Sequence, residues 1–120
     1  MAESTKATFD SPDEVRTFDK GQVEIVNLGS QKVGRSTFQP GWKWSECVKP
    51  IVGGDSCQVH HVGYIVSGTI HIVMNDGHEF DGGPGEVYEI QPGHDAWVVG
   101  DEEFVGLEFQ RQAVEEYAKG

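Results

Sequence analysis

Side chains that commonly bind metal ions lie close together in the middle of the sequence. Cys57, His60 and His61 stand just before an apolar, β-branched run that begins at Val62. Imidazole and thiolate groups are costly to bury without a partner, and a metal ion is one such partner. Along an extended strand, Cys57 and His61 share one face and His60 lies on the other. Cys57 and His61 are therefore candidate metal ligands. The alternative for His61 is a core histidine that is hydrogen-bonded to a backbone carbonyl. The alternative for Cys57 is a buried free cysteine that fills apolar space.

The residues that follow predict two strands joined by tight turns. Residues 62–66 and 69–74 are apolar and β-branched, and Ser67-Gly68 turns the chain between them. Residues 75–77 read Asn-Asp-Gly, in which Asp-Gly is a strong hairpin signal. The cysteine and the histidines therefore lie at the beginning of a strand that is predicted to be buried.

Glycine usage and length indicate the class of fold. Sixteen glycines, mostly between short β-branched runs, are typical of an all-β barrel or sandwich. We expect one domain over residues 1–120, with a barrel core at about 22–110. A capping pattern at residues 11–14 predicts a short N-terminal helix, and helix formers at residues 111–119 predict a C-terminal one. Residues 42–47 alternate as a barrel strand would.

The charge balance argues against several classes of partner. Nine basic and twenty acidic residues give a net charge of −11, which argues against binding to nucleic acid or to an anionic membrane. The first residues, MAESTKATFDSPDE, lack the apolar core of a signal peptide, and no apolar run approaches the length of a membrane span. We therefore expect a cytoplasmic protein in which Cys47 and Cys57 are not bridged.

The segment that ends at Gly68 matches a known pattern in its spacing. It resembles the first motif of the cupin superfamily, G-x5-H-x-H-x3-4-E-x6-G. Gly68 fits the final glycine, which places His61 at the position of the glutamate. Cys57 and Asp55 then stand at the positions of the two histidines.

A second segment resembles the second cupin motif, G-x5-P-x-G-x2-H-x3-N. Gly85 and Gly93 match its glycines. Gln91 replaces the proline, Ala96 replaces the histidine and Gly100 replaces the asparagine. The glycine frame of the cupins is therefore kept, whereas the standard ligand positions carry other residues.

The resemblance covers roughly residues 35–110, and the segment PGHDAWVVGDE is similar to that of small single-domain cupins. It implies a small antiparallel β-barrel of jelly-roll type (a double-stranded β-helix), usually a homodimer. It also implies a metal-dependent enzyme, of isomerase, lyase or dioxygenase type, that acts on a small organic molecule in the barrel cavity. A mixed Cys/His set favours zinc, copper or iron among the divalent metals. The alternative is a non-catalytic binding or sensor cupin that has lost the metal.

The positions of the remaining histidines and of Cys47 relative to the two motifs indicate which of them are candidate ligands. His94 lies two residues before the position where cupins keep a histidine, and an offset of two preserves the facing of a strand residue. We expect His94 to be the third metal ligand and Cys47 to be a fourth candidate. His71 and His78 fall outside both motifs and are expected at the surface or packed on strands.

Aromatic and acidic side chains are expected to complete the site, because barrel interiors often enclose small ligands. The aromatic candidates for the substrate pocket are Trp42, Trp44, Tyr64 and Trp97. Packing in the core is the alternative for the first two. Asp95 and Glu46 are the candidate catalytic acid–base groups, because a half-buried carboxylate beside a cavity can have a raised pKa. Asp95 can instead accept hydrogen bonds from turn amides.

Overall fold

The computed structural model describes residues 4–119, and these form nine β-strands and three short helices. No helix within that range is long and apolar enough to cross a membrane. The strands are β1 Glu14–Phe18, β2 Gly21–Asn27, β3 Lys32–Phe38, β4 His61–Ser67, β5 Thr69–Met74, β6 Glu79–Gly82, β7 Val87–Ile90, β8 His94–Val99 and β9 Phe104–Glu108. The helices are α1 Trp44–Cys47, α2 Lys49–Val52 and α3 Arg111–Glu116.

The strands divide into two antiparallel sheets. The larger sheet has the order β1-β2-β3-β9-β4-β7, and the smaller has the order β6-β5-β8. Alternate residues turn inward in several strands, as Phe104 and Glu108 do in β9. The buried sides of both sheets contribute to one apolar core. Ile65 of β4 and Ile72 of β5 are almost fully buried there. This architecture confirms the expected all-β fold, a small barrel of jelly-roll type.

The predicted N-terminal helix is not formed. Residues 11–14 carry a capping pattern, but strand β1 begins at Glu14 and pairs with β2 along its whole length. The side chain of Asp13, which the pattern placed in the first turn of that helix, accepts a hydrogen bond from the Asn27 amide at 2.7 Å. The sequence prediction failed because pairing with a neighbouring strand outweighs a local capping signal.

Residues 42–47 do not form the predicted strand either. Only Lys43 makes an isolated bridge, to Trp97 of β8, and α1 follows. Asp95 Oδ1 accepts a hydrogen bond from the Ser45 amide at 3.1 Å, which satisfies one of the free amides at the beginning of α1. Trp42 and Trp44 remain buried, so the expectation that they are inward-facing holds although the expected strand does not.

Helix α3 closes one side of the barrel and confirms the predicted C-terminal helix in a shorter form. It is anchored by Arg16 of β1, a buried arginine whose side chain is 7% exposed. The Arg16 guanidinium donates to the carbonyl oxygens of Val114 at 2.7 Å, Glu115 at 3.2 Å and Tyr117 at 2.8 Å. The last carbonyls of a helix have no partner within the helix, so a cation here satisfies them and interacts favourably with the helix dipole.

Replacing Arg16 by methionine should release α3 while the strands stay paired. The substitution keeps the apolar stem but leaves three carbonyl groups without their donor, so we expect the free energy of unfolding to fall by about 2–4 kcal/mol. Chymotrypsin should then cleave at Tyr117 faster than in the parent. Arg111→Met is the matched control, because Arg111 lies on the same helix with an 86% exposed side chain and an ion pair only to Glu115. Equal behaviour of the two variants would contradict the anchoring role.

Candidate metal centre

Three buried side chains, Cys57, His61 and His94, meet at one end of the barrel interior. One possible ligand atom from each lies within 4.8 Å of the other two. His61 begins β4 and His94 begins β8, so the two sheets each supply one imidazole. Cys57 precedes β4, and its Sγ lies 3.9 Å from His61 Nε2. The structure thus brings together the three residues that were the first candidates for metal ligands.

Backbone hydrogen bonds hold Cys57 against the turn before His94. The Cys57 amide donates to the His94 carbonyl at 2.7 Å, and the Gly93 amide donates to the Cys57 carbonyl at 2.7 Å. Gly93 has a φ of 94°, in the left-handed region that favours glycine. A side chain there would also approach Asn75 Nδ2 at 3.0 Å. This turn explains why one of the two matched motif glycines stands directly before His94.

Hydrogen bonds orient both imidazole rings in the same way. His61 Nδ1 bonds to Glu108 Oε1 at 2.6 Å, and His94 Nδ1 donates to the Gln91 carbonyl at 2.8 Å. In each ring Nε2 is therefore the nitrogen that can face Cys57, and Nε2 of His61 lies 3.9 Å from its Sγ. Metal-binding histidines usually show this pattern, in which an acceptor on one nitrogen fixes the ring so that the other nitrogen binds the metal.

The charges of the cluster reinforce one another. Burial raises the pKa of the Cys57 thiol, but hydrogen bonds and charge from His61 and His94 outweigh this and lower the pKa to about 6. Burial also lowers the pKa of His61, but the charge of Glu108 and the bond to Cys57 outweigh this and raise the pKa to about 10. Thiolate is the form of cysteine that binds metals, so Cys57 is already prepared as a ligand.

A tyrosine from β7 completes the environment of Glu108. The Tyr88 hydroxyl donates to Glu108 Oε1 at 3.0 Å. A Cβ at Gly63, on β4, would come within 2.4 Å of that hydroxyl, so only glycine leaves room for it. Burial and the nearby Glu108 carboxylate raise the pKa of Tyr88 well above 10, so that it remains a hydrogen-bond donor.

The donor set fits a divalent transition metal. Zinc–ligand bonds of about 2.0–2.3 Å at tetrahedral angles place neighbouring donor atoms roughly 3.3–3.6 Å apart. The 3.9 Å between Cys57 Sγ and His61 Nε2 is a few tenths of an ångström longer, and all three donor atoms lie within 4.8 Å of one another, so side-chain shifts of about 1 Å would bring the set to bonding distances. Sulfur and imidazole nitrogen suit zinc, copper or iron. Three protein ligands leave a position for water or substrate, as in catalytic zinc sites.

A small apolar cavity adjoins the cluster. Its wall includes His61, His94 and Glu108, together with Trp42 and Trp44. Trp42 stacks on Phe38 with ring centroids 3.8 Å apart, and Trp42 is 2% exposed. Ala113, Val114 and Tyr117 of the α3 region close another side of the cavity. The barrel interior can therefore hold a small molecule next to the three candidate ligands.

Two of the expected aromatic pocket residues lie outside the cavity. Tyr64 turns outward on β4 and is 38% exposed. Trp97 turns outward on β8, where its ring packs against His71 at 4.7 Å and under the Lys43 ammonium at 5.0 Å. Alternation along each strand explains both positions, since the inward residues beside them are Gly63, Ile65, Ala96 and Val98. These placements correct the expectation that Tyr64 and Trp97 line the pocket.

The remaining candidates are also separated from the cluster. Asp95 accepts from the Ser45 and Ala96 amides, which is the alternative role considered for it. Glu46 is exposed on α1. Cys47 is buried, its Sγ lies 3.8 Å from Asp19 Oδ2, and burial raises the pKa of its thiol. Cys47 and Cys57 are both buried and are not bonded to each other.

Sequence reasoning missed Glu108, Tyr88 and Tyr117. Glu108 is an inward-facing acid on the apolar strand β9, and alternation from Phe104 would have placed it there. Tyr88 alternates in the same way with buried Ile90. Tyr117 follows α3, and its ring lies edge-on to His61 with centroids 5.4 Å apart. No local pattern indicates that contact, because it depends on how the C-terminal segment crosses the barrel.

Comparison with solved structures identifies the class of fold. Over 82% of this chain, the structure resembles oxalate decarboxylase from Lactobacillus farciminis, in a formate complex, with a TM-score of 0.59 and 21% sequence identity. It also resembles an RmlC-like cupin from Shewanella frigidimarina over 92% of this chain, with a TM-score of 0.57 and 13% identity. The protein is a small β-barrel with the cupin fold, as the two sequence motifs suggested.

The neighbours differ in how much of their own length is matched. The chain spans 31% of the oxalate decarboxylase, but 97% of the RmlC-like cupin. It also spans all of a protein of unknown function from Rhizobium leguminosarum, with a TM-score of 0.63 and 18% identity over 92% of this chain. No protein-family model and no curated protein matches the sequence. At these identities, the likeness describes the fold and does not extend to an activity.

Two other histidines lie on the outer surfaces, as their positions predicted. His60 Nε2 bonds to Glu89 at 2.8 Å, on the face of β4 opposite to His61. His71 lies on the outer face of β5, where one ring nitrogen bonds to Asp81 and the other to Glu79 at 2.8 Å. The hydrogen bonds to Asp81 and Glu79 raise the pKa of His71 above its usual 6.5. The imidazolium form therefore joins β5 to β6.

The raised pKa of His71 predicts a pH dependence of stability. Because the folded-state pKa is above the unfolded value of about 6.5, the contribution is fully present below that pH. It is then lost as the pH rises through the folded-state pKa. Proton NMR of the imidazole should show His71 titrating above 6.5, and Asp81→Asn should lower that pKa. Asp76→Asn, in the turn before β6, is the control, and an equal effect of both changes would contradict the assignment.

Proposed function

We propose that this protein is a metal-dependent cupin enzyme that acts on a small organic molecule in the barrel cavity. The observation that carries the proposal is the convergence of three buried donors, Cys57, His61 and His94. Hydrogen bonds already orient the rings of the two histidines. Zinc, copper or iron is the expected metal. Buried thiolate and imidazole groups are costly in an apolar interior, and a bound cation would remove much of that cost.

The metal would supply a Lewis acid that polarises a carbonyl or carboxylate of the substrate, or activates water or dioxygen. The residues of the chain would orient the metal ligands, exclude water and transfer a proton. Glu108 and the Gln91 carbonyl hold the two imidazoles, and Trp42 and Trp44 exclude water from the cavity. Glu108 replaces Asp95 and Glu46 as the candidate proton-transfer group, because it is the carboxylate that lines the cavity.

The fold neighbours support a small substrate. One of them is an oxalate decarboxylase described with bound formate, and formate is a molecule of one carbon. The chemistry proposed for this chain remains an isomerase, lyase or dioxygenase type of reaction. A reducing compartment such as the cytoplasm would keep Cys57 available as a ligand.

A second candidate function is that of a non-catalytic sensor that binds a small ligand without metal. The observation that favours it is the loss of the standard motif ligands at Asp55, Cys57, His61 and Ala96. The two functions differ in a measurable way, because the enzyme requires stoichiometric metal and the sensor does not.

We also propose that the protein is a homodimer, as the cupin resemblance implies. The outer face of the larger sheet carries Tyr64, Val66 and Val87, which are 38%, 47% and 78% exposed. Tyr64 and Val87 are directly paired between β4 and β7, so they form one apolar patch at a sheet edge. Such an edge patch is an association site unless it is covered, and a twofold dimer covers it with the same patch of a second copy.

The metal prediction is tested by His61→Ala. Elemental analysis of protein purified without chelator should find about one metal ion per parent chain and a strong reduction in the variant. Metal affinity should fall by at least about 100-fold, since even residues that only orient a metal ligand are worth about 10–100-fold. The barrel should remain folded, as circular dichroism would report.

His60→Ala is the matched control, because His60 is the next residue and faces outward. A second readout uses cobalt, whose thiolate absorption in the near ultraviolet should appear in the parent and disappear in Cys57→Ser. If the parent binds no metal, or if His61→Ala and His60→Ala retain it equally, the metal-dependent function is wrong and the sensor remains.

The dimer prediction is tested by Val87→Lys, which introduces a charge into the apolar patch. Analytical ultracentrifugation should show a dimer for the parent and a dissociation constant raised at least about tenfold for the variant. Val99→Lys is the control, since Val99 is exposed on β8 of the other sheet. A parent that is monomeric at all concentrations would remove the homodimer proposal.

A further inference from the structure

Three neighbouring strands of the larger sheet are aligned around one glycine, Gly63 of β4. The register pairs Gly63 with Tyr88 of β7 on one side and with Glu108 of β9 on the other. Directly paired residues of an antiparallel sheet turn toward the same face, and Tyr88 and Glu108 both line the barrel cavity. His61 stands two residues before Gly63 on β4 and therefore shares this face.

The missing side chain of Gly63 lets Tyr88 cross the middle strand. A Cβ at Gly63 would collide with the ring and hydroxyl of Tyr88 and with the carbonyl oxygen of Leu107. Over this gap the Tyr88 hydroxyl reaches the strand beyond, where it donates to Glu108 Oε1 at 3.0 Å. Glycine weakens the interior of a strand and often marks a close approach, and here it makes room for the tyrosine ring.

Glu108 Oε1 is also the atom that bonds to His61, so the three side chains form one line of hydrogen bonds. His61 Nδ1 lies 2.6 Å from the oxygen that accepts from Tyr88. The last torsion of a glutamate side chain has broad preferences, so a carboxylate with a single partner can rotate about it. The bond from Tyr88 restricts that rotation and thereby holds the acceptor of the His61 ring in one place.

We propose that Tyr88 is a positioning residue of the metal centre, which acts on the ligand His61 through Glu108 and depends on the space at Gly63. Tyr88 is not one of the three donors of the cluster. Its hydroxyl fixes the carboxylate, and the carboxylate fixes the imidazole whose Nε2 is turned toward Cys57. The inference rests on the proposed function, because it assigns this contact a role in binding the metal. Metal affinity should therefore depend on Tyr88 only while Glu108 is present.

A double-substitution cycle on the affinity for cobalt tests this order of action. Tyr88→Phe removes only the hydroxyl and should weaken cobalt binding by about tenfold, the lower end of the range for groups that orient a metal ligand. Glu108→Leu should weaken it further, because the ring of His61 then has no acceptor. In the Glu108→Leu protein, Tyr88→Phe should have no additional effect, since the hydroxyl has lost the group through which it acts. Effects that multiply in the double variant would overturn the proposal.

Matched variants separate positioning from a general loss of stability. Tyr64→Phe removes the same hydroxyl from the residue after Gly63, on the outer face of β4, and should leave cobalt affinity unchanged. Glu108→Gln keeps an acceptor oxygen, so it should recover much of the affinity lost in Glu108→Leu and make binding sensitive to Tyr88→Phe again. Gly63→Ala should act in the same direction as Tyr88→Phe. Melting temperatures are measured for every variant, and if Gly63→Ala or Glu108→Leu does not fold, Tyr88→Phe and Tyr64→Phe decide by themselves.

Two spectroscopic signals report the orientation directly. The visible absorption of bound cobalt depends on ligand geometry and should shift in Tyr88→Phe but not in Tyr64→Phe. In metal-free protein, proton NMR should show the Nδ1 proton of His61 exchanging with water faster in Tyr88→Phe than in the parent. Unchanged affinity and unchanged signals in Tyr88→Phe overturn the positioning role and leave the metal function standing. A parent that binds no metal removes the metal function and, with it, the role of Tyr88 in binding metal.

Discussion

A histidine and a carboxylate, His61 and Glu108, bond to each other inside an interior that is otherwise almost wholly apolar. Taking two such groups out of water is expensive, and their mutual attraction offsets that cost only with good geometry and further hydrogen bonds. Tyr88 supplies one such bond to Glu108, and Gly63 leaves the space for it. The placement of β4, β7 and β9 side by side in the larger sheet is therefore coupled to this one pair.

The pair also determines what the neighbouring thiol can do. Glu108 raises the pKa of His61 to about 10, and His61 in turn is one reason that the pKa of Cys57 falls to about 6. Replacing a buried ion pair by apolar residues is often neutral or stabilising, so stability alone does not explain why this one is present. A metal site would explain it, because the pair helps to keep Cys57 as a thiolate and fixes the ring of His61, which would give up its Nε2 proton when a cation binds.

Much of the fold and part of the site follow from local patterns in the sequence. The glycine frame and the period of two indicated the barrel and the convergence of Cys57 and His61. The alternation that turns His94 inward also turns Asp95 and Trp97 outward. The sequence therefore already argued against Asp95 as the catalytic group and against Trp97 as a pocket residue. Glu108 was missed because it lies 47 residues from His61 and closes the site through a sheet pairing that no local pattern encodes.

Helix α3 links the site to the rest of the molecule. Val114 and Tyr117 are 1% and 6% exposed and form part of the cavity wall, while Arg16 holds the carbonyls of both from the far edge of the larger sheet. The bonds from Arg16 therefore hold this part of the cavity wall in place. A dry environment for a metal ion at Cys57, His61 and His94 would thus depend in part on this packed segment.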